Sequence, residues 1–178
     1  MLWIQERLFI KMDNIISIKN LTVSFRNNKV VKNVNINIPK GKTVAIVGES
    51  GSGKTISALS ILKLLPNSAK IEQGEIIFNE KDLLKLKKKE IEKIRGSKVS
   101  TIFQEPMSSL NPLHKIDKQI KEIITTHNNV SSEDLNKIVL KLLKEVNLEE
   151  LISRPNIYSY ELSGGQRQRL AIARAILK

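Results

Sequence analysis

Cysteine is absent from the 178 residues. That excludes a disulfide framework, a thiolate metal site and a cysteine nucleophile together, and it fits a reducing compartment. Aromatics are scarce: four Phe, two Tyr and one Trp are too few to lay out a platform on which bases stack. Long hydrophobic runs are missing as well, since charge interrupts every apolar stretch before the roughly 18 residues needed to span a bilayer. The first residues hold Glu6 and Arg7 where a secretory signal would be apolar, so they are not one. Acid is in deficit, 18 Asp+Glu against 30 Lys+Arg, which leaves a net charge of +12. Such an excess suits a nucleic-acid or anionic-membrane surface, or reflects a Lys-, Ile- and Asn-rich composition with lysines on solvated faces. The densest run, Lys85 to Arg95, favours the second reading, because Leu86, Ile91 and Ile94 interrupt it at helical spacing. With 40% hydrophobic residues the chain can build one core, and two full domains would be a squeeze.

Glycine is also in short supply, eight residues in all, against an average usage of about 7%. Five of the eight fall in two short segments, Gly48, Gly51 and Gly53, then Gly164 and Gly165. The chain therefore concentrates glycine where the backbone must turn tightly or approach something closely.

The first segment joins an apolar run, Thr43 to Val47, to Gly48-Glu49-Ser50-Gly51-Ser52-Gly53-Lys54-Thr55 and then to a helical pattern, Ile56 to Leu65, stopped by Pro66. Strand, glycine-rich loop and helix in that order are what a P-loop requires. Consecutive N–H groups of such a loop curl around an anion, and the helix opening near Gly53 aims its unpaired N–H groups and positive dipole end at the same anion. Lys54 is spaced to reach the β- and γ-phosphates of ATP, and the Thr55 hydroxyl to ligate Mg²⁺. The second segment, Leu162-Ser163-Gly164-Gly165-Gln166, precedes a run from Arg167 to Leu177 without Gly or Pro. A helix is expected there, with Leu170, Ala173, Ile176 and Leu177 on one face. Ser163 and the two glycines stand at its N-terminus, either as a plain cap and turn or as a second anion site.

With these two segments the chain resembles the ATP-binding subunits of ABC transporters, whose signature sequence is Leu-Ser-Gly-Gly-Gln. The resemblance covers residues 12 to 178 and three more features follow the family's order. Phe25, 29 residues before Lys54, stands where the family stacks an aromatic on adenine; otherwise it is a core residue. Val99 to Phe103 and then Gln104 are similar to the strand and glutamine of the Q-loop, which implies that Gln104 senses Mg²⁺ and the attacking water and contacts membrane subunits. Gln104-Glu-Pro-Met-Ser-Ser-Leu-Asn-Pro-Leu113, with Glu49 in the loop and the run Ser57 to Pro66, is close to the wording of the peptide-importer branch, particularly the microcin-C and oligopeptide type whose ATPase joins two nucleotide-binding domains in one chain.

The resemblance implies an α/β fold, a P-loop NTPase with an antiparallel β subdomain and a helical subdomain. Its expected parts are residues 12–111 (β subdomain and P-loop core to the Q-loop), 112–161 (helical subdomain) and 162–178 (signature and following helix). It implies ATP and Mg²⁺ as cofactors and the site residues Phe25, Gly48 to Thr55, Gln104, and Ser163 to Gln166, with Thr55 and Gln104 toward the metal. Implied partners are a second nucleotide-binding domain, permease subunits and, indirectly, a solute-binding protein, at the cytoplasmic face of the membrane; nucleic acid is not expected. A non-transport ABC ATPase acting on nucleic acid is the rival, supported by charge alone.

Periodicity supplies the remaining elements. Ile16, Ile18, Val34, Ile36 and Ile38 suggest antiparallel strands across a turn at Asn27-Asn28. Lys81 to Arg95 is expected as a surface helix capped near Asn79 or Asp82. Ile116, Ile120, Ile123 and Ile124, then Leu135, Ile138, Val139, Leu142, Leu143 and Val146, mark two helices, with Ser131 or Ser132 before the second. His114 and His127 stand alone and are read as surface residues. Two features depart from the family. After Gln166 twelve residues remain, and the family's apolar strand ending in Asp and Glu does not occur; Asp13, Asp82, Asp117 and Asp134 follow no such run. That loss, and the absent His switch, imply a fragment that binds nucleotide weakly and turns over little, with part of the last helix's apolar face uncovered. The family begins near Met12, so residues 1–11 read as an added leader or a misplaced start.

Overall fold

The computed structural model describes residues 13–105, 110–127 and 130–177. The supposed leader, 1–11, and residues 106–109 of the importer-like wording lie outside the described residues, as does the side chain of His127. The chain divides between Ile91 and Glu92 into two compact units.

In the first unit β1 (Asn14–Phe25) and β2 (Asn28–Pro39) form the expected antiparallel hairpin, from Asn14 opposite Pro39 to Phe25 opposite Asn28. β3 (Ala69–Phe78), not among the expected elements, pairs with the other side of β1, and the short β4 (Lys81–Asp82) completes a sheet of order β2-β1-β3-β4. Burial along β1 changes parity: Ile16 and Ile18 are buried, then Leu21 and Val23. A bulge between them re-aims the strand, and the register with both neighbours shifts there. Asn20 takes φ 51° at that point, and its N–H donates to Asn35 Oδ1 at 2.9 Å. Gly74 of β3 lies against the bulge at φ +116°, where a Cβ would stand 2.7 Å from Leu21 Cα and 2.8 Å from the Lys19 carbonyl oxygen. No side chain fits.

α1 (Lys54–Ile61) ends four residues short of the Leu65 that the apolar pattern suggested. Lys63 turns left-handed at φ 51°, its N–H donating to Ser60 O at 3.1 Å while that of Leu64 donates to Leu59 O at 3.0 Å. That double bond pattern closes a helix before Pro66 is reached. The expected helix over Lys81 to Arg95 shrinks to α2 (Lys88–Ile94). The Asp82 carboxylate accounts for the difference, because Oδ1 accepts from Leu84 N–H at 3.1 Å and from Ile76 N–H at 3.3 Å, folding the chain back on β3.

The strands expected at Thr43 to Val47 and Val99 to Phe103 do not form. Neither segment has a ladder partner among the described residues, apart from an isolated bridge between Arg95 and Val99. A strand exists only through its neighbour's hydrogen bonds, and apolar sequence alone does not supply one. Val47 is 92% exposed and Phe103 47%.

The second unit is helical, with α3 (Ile116–His127), α4 (Ser132–Glu145) and α5 (Gly164–Ile176). Ile116, Ile120 and Ile124 meet Val139, Leu142, Leu143 and Val146, and Leu170 and Ala173 of α5 enter the same core. Ser131 caps α4 by accepting from Asp134 N–H. α4 ends as α1 does, with Asn147 at φ 53° and the N–H of Leu148 donating to Leu143 O at 2.8 Å; this buries Leu148 completely. On α5 the expected apolar face is divided: Leu177 packs against the core, whereas Ile176 is 49% exposed. Burial draws the Arg174 pKa down, opposed by Glu122 of α3. Among the described residues no helix is long and apolar enough to cross a membrane.

Candidate nucleotide-binding site

The glycine-rich loop lies at the surface of the first unit. Residues 41–52 are all exposed, and α1 opens directly after Gly53. Gly51 takes φ +79° and Gly53 φ +89°, conformations that a Cβ disfavours. A Cβ on Gly53 would also stand 2.8 Å from the Val30 carbonyl oxygen and 2.9 Å from Val31 Cγ2, so the start of β2 presses the helix N-terminus into place. One on Gly48 would meet Ser52 Oγ at 2.9 Å.

Lys54 curls back over the loop. Its ammonium donates to the carbonyl oxygens of Gly48 at 2.7 Å and Glu49 at 2.6 Å, and to Ser52 Oγ at 3.3 Å. The turn is closed by Ser52 N–H donating to Glu49 O, and α1 by Ser57 N–H donating to Gly53 O. A cation held at the mouth of a loop that turns left-handed at Gly51 and Gly53, beside a helix N-terminus, fits a phosphate chain. Thr55 is exposed in the first turn of α1 and free of burial that would hide its hydroxyl. Phe25 ends β1, half-buried, opposite Asn28 and Ala69.

The Leu162 to Gln166 segment belongs to the second unit. Leu162 is buried in the helical core, and Ser163, Gly164 and Gly165 are exposed. Ser163 Oγ accepts from Gln166 N–H at 3.2 Å, and Gln166 Oε1 accepts from Ser163 N–H at 2.7 Å. This reciprocal pair is a capping box. Nothing lies within 4 Å of where a Gly164 Cβ would be, and only the Arg169 guanidinium, at 3.8 Å, approaches that of Gly165. The helix N-terminus is thus open to a ligand. Gln104 is exposed in a bend of the second unit, whereas Thr55 belongs to the first. The structure therefore assembles the loop residues Gly48 to Thr55 as one group and Ser163 to Gln166 as another.

Motif reading overlooks two side chains, one that holds the segment Asn111 to His114 and one that reaches the Ser163 to Gln166 turn. Gln119, fully buried on α3, donates through Nε2 to the carbonyl oxygens of Asn111 at 2.9 Å and His114 at 2.8 Å, and accepts Asn111 N–H at 3.0 Å through Oε1. A polar residue three positions after Ile116, on the apolar side of the helix, was its only signal in the sequence. His114, read as a surface residue, is half-buried beside it. Glu150 accepts from Gln166 Nε2 at 3.0 Å across 16 residues, a separation that no local pattern reveals.

This arrangement defines an ATP-binding cassette. Residues 31–178 match the ABC transporter family, and the chain belongs to it. It is 40% identical over 172 residues to the oligopeptide transport ATP-binding protein OppD of Bacillus subtilis, with 94% of this chain and 48% of OppD covered. To the dipeptide transport ATP-binding protein DppD of Lactococcus lactis it is 41% identical, with 92% and 48% covered. The chain thus spans about half the length of these relatives. Among solved structures it resembles the dimeric cassette MJ0796 in a post-hydrolysis state bound to ADP and Pi, with a TM-score of 0.78, 33% identity, and 91% of this chain and 69% of that one covered.

Proposed function

We propose that this chain is the ATP-binding part of an importer that couples ATP binding and hydrolysis to uptake of peptides or related small solutes. The observation that carries the reading is the Lys54 ammonium drawn over a loop that turns left-handed at Gly51 and Gly53, at the start of α1. The likeness to oligopeptide and dipeptide transport proteins supports the solute class.

In this reading Gly48, Glu49, Ser50, Gly51, Ser52 and Gly53 wrap the phosphates with backbone N–H groups. Lys54 exchanges the Gly48 and Glu49 carbonyls for phosphate oxygens, and Phe25 lies against the base. Bound Mg²⁺ neutralises charge on the phosphates, and Thr55 and Gln104 are the residues that would hold it, Gln104 also orienting water. Ser163, Gly164, Gly165 and Gln166 serve the nucleotide of a second cassette, in the same intact protein or in a partner, so that each site is composite. Residues 12–111 act as β subdomain and P-loop core, 112–161 as helical subdomain and 162–178 as signature element. Permease subunits meet the region near Gln104, a solute-binding protein delivers the cargo, and the whole works at the cytoplasmic face of the membrane.

A second reading, an inactive piece of such an ATPase, is favoured by the bare apolar side chains of Val44, Ile46, Val47, Ile102 and Phe103, which lack a strand neighbour among the described residues. None of the four aspartates follows an apolar strand, so the chain alone is expected to bind nucleotide without meaningful turnover. Steady-state phosphate release with Mg-ATP tests this, with Lys54→Ala as control. Indistinguishable traces are the expected result. Lys54-dependent turnover near about one per second, within the range of ordinary enzymes, refutes it.

A further inference from the structure

Glu150 sits in the 3-10 turn Glu149–Leu151, fixed in place by Leu148 and Leu151 in the helical core. Its own side chain is exposed, yet its Oε1 accepts from Gln166 Nε2 at 3.0 Å, and Gln166 Oε1 in turn accepts from Ser163 N–H at 2.7 Å. Carboxylate, amide and turn form one chain of bonds ending at the signature backbone.

A glutamine amide can enter such a chain either way round, because its oxygen and nitrogen ends are nearly the same shape. Only one orientation completes the capping box, with oxygen on Ser163 N–H. A carboxylate has acceptors and no donor, so it selects the NH₂ end of Gln166 and turns the oxygen to Ser163. The N–H groups of Gly164 and Gly165, as the first two of α5, have no intrahelical carbonyl to engage and belong, like Ser163, to exposed residues. We infer that Glu150 is a positioning residue of the signature turn: as a constant acceptor it orients the Gln166 amide, and through it presents Gly164, Gly165 and Ser163 to an anionic ligand. The ligand part rests on the nucleotide reading above; the orientation part does not.

The surroundings keep Glu150 an acceptor. Its own backbone N–H and the Gln166 amide hold its carboxyl below the ordinary glutamate range, against a small desolvation effect, and Arg169 of α5 and Arg154 of the preceding loop act in the same direction. Arg154 also approaches Glu161 at 3.9 Å.

The test uses the isotope-labelled chain and NMR. Glu150→Lys puts a donor where the amide needs an acceptor, so the Gln166 NH₂ resonances shift and Ser163 N–H exchanges about fivefold faster, the effect of losing one N-cap interaction. Glu150→Gln keeps an acceptor oxygen and rescues both, with unchanged circular dichroism throughout. In the wild-type chain the Gln166 NH₂ signal moves with acid at a midpoint below the ordinary glutamate value. Unaltered Gln166 and Ser163 signals in Glu150→Lys, or a Glu150→Gln variant as disturbed as Glu150→Lys, overturn the inference. Mg-ATP is then added at concentrations where two copies associate: shifts at Gly164 and Gly165 support the ligand part, and their absence overturns that part while leaving the orientation result standing.

Discussion

Backbone geometry at single residues decides much of what this chain tolerates. At Gly74, φ +116° and three backbone atoms of Lys19 and Leu21 within 3 Å of any Cβ leave no accommodating shift that a flexible side chain could provide. Gly74→Ala is expected to destabilise the first unit by about 1–3 kcal/mol, read as a lower urea midpoint at unchanged slope; an unchanged midpoint contradicts the bulge geometry. Lys54 illustrates the opposite case, since its carbonyl partners are exchangeable and its role is ligand-directed. Glu150 belongs to this scale as well. Its pKa is depressed in the folded chain, so its contribution is present above the unfolded-state value and lost as pH falls through the folded one.

Among elements, helices were more legible than strands. The 3.6-residue spacing of Ile116, Ile120 and Ile124 and of Val139, Leu142, Leu143 and Val146 is a local property, and the helices stand where it places them. Their ends were less legible, because Lys63 and Asn147 stop helices through left-handed turns that lysine in particular does not advertise. Thr43 to Val47 and Val99 to Phe103 carry strand-like sequence, yet pairing is non-local and no described neighbour supplies it. The segment Asn111 to His114 depends on α3 through Gln119. Gln119→Leu leaves Asn111 N–H and two carbonyl oxygens without their buried partner, a loss of about 1–3 kcal/mol, visible as a lower thermal midpoint with faster exchange at Asn111. An unaffected midpoint would show that water replaces the side chain.

At the scale of the whole molecule, the two glycine-rich segments fall into different units. Their chemistry was readable because each is a short contiguous motif, whereas the contacts that hold them, the close approach of β2 to Gly53 and the hydrogen bond of Glu150 with Gln166, join residues 22 and 16 positions apart or more. On this account the chain binds ATP through the loop that Lys54 closes. Equilibrium binding of Mg-ATP, followed by titration calorimetry on the wild-type chain and Lys54→Ala, tests it most directly. Saturable binding that weakens at least about tenfold in the variant, roughly 1.4 kcal/mol, is the predicted result; equal affinity in the two proteins, or no binding by the folded wild-type chain, contradicts it.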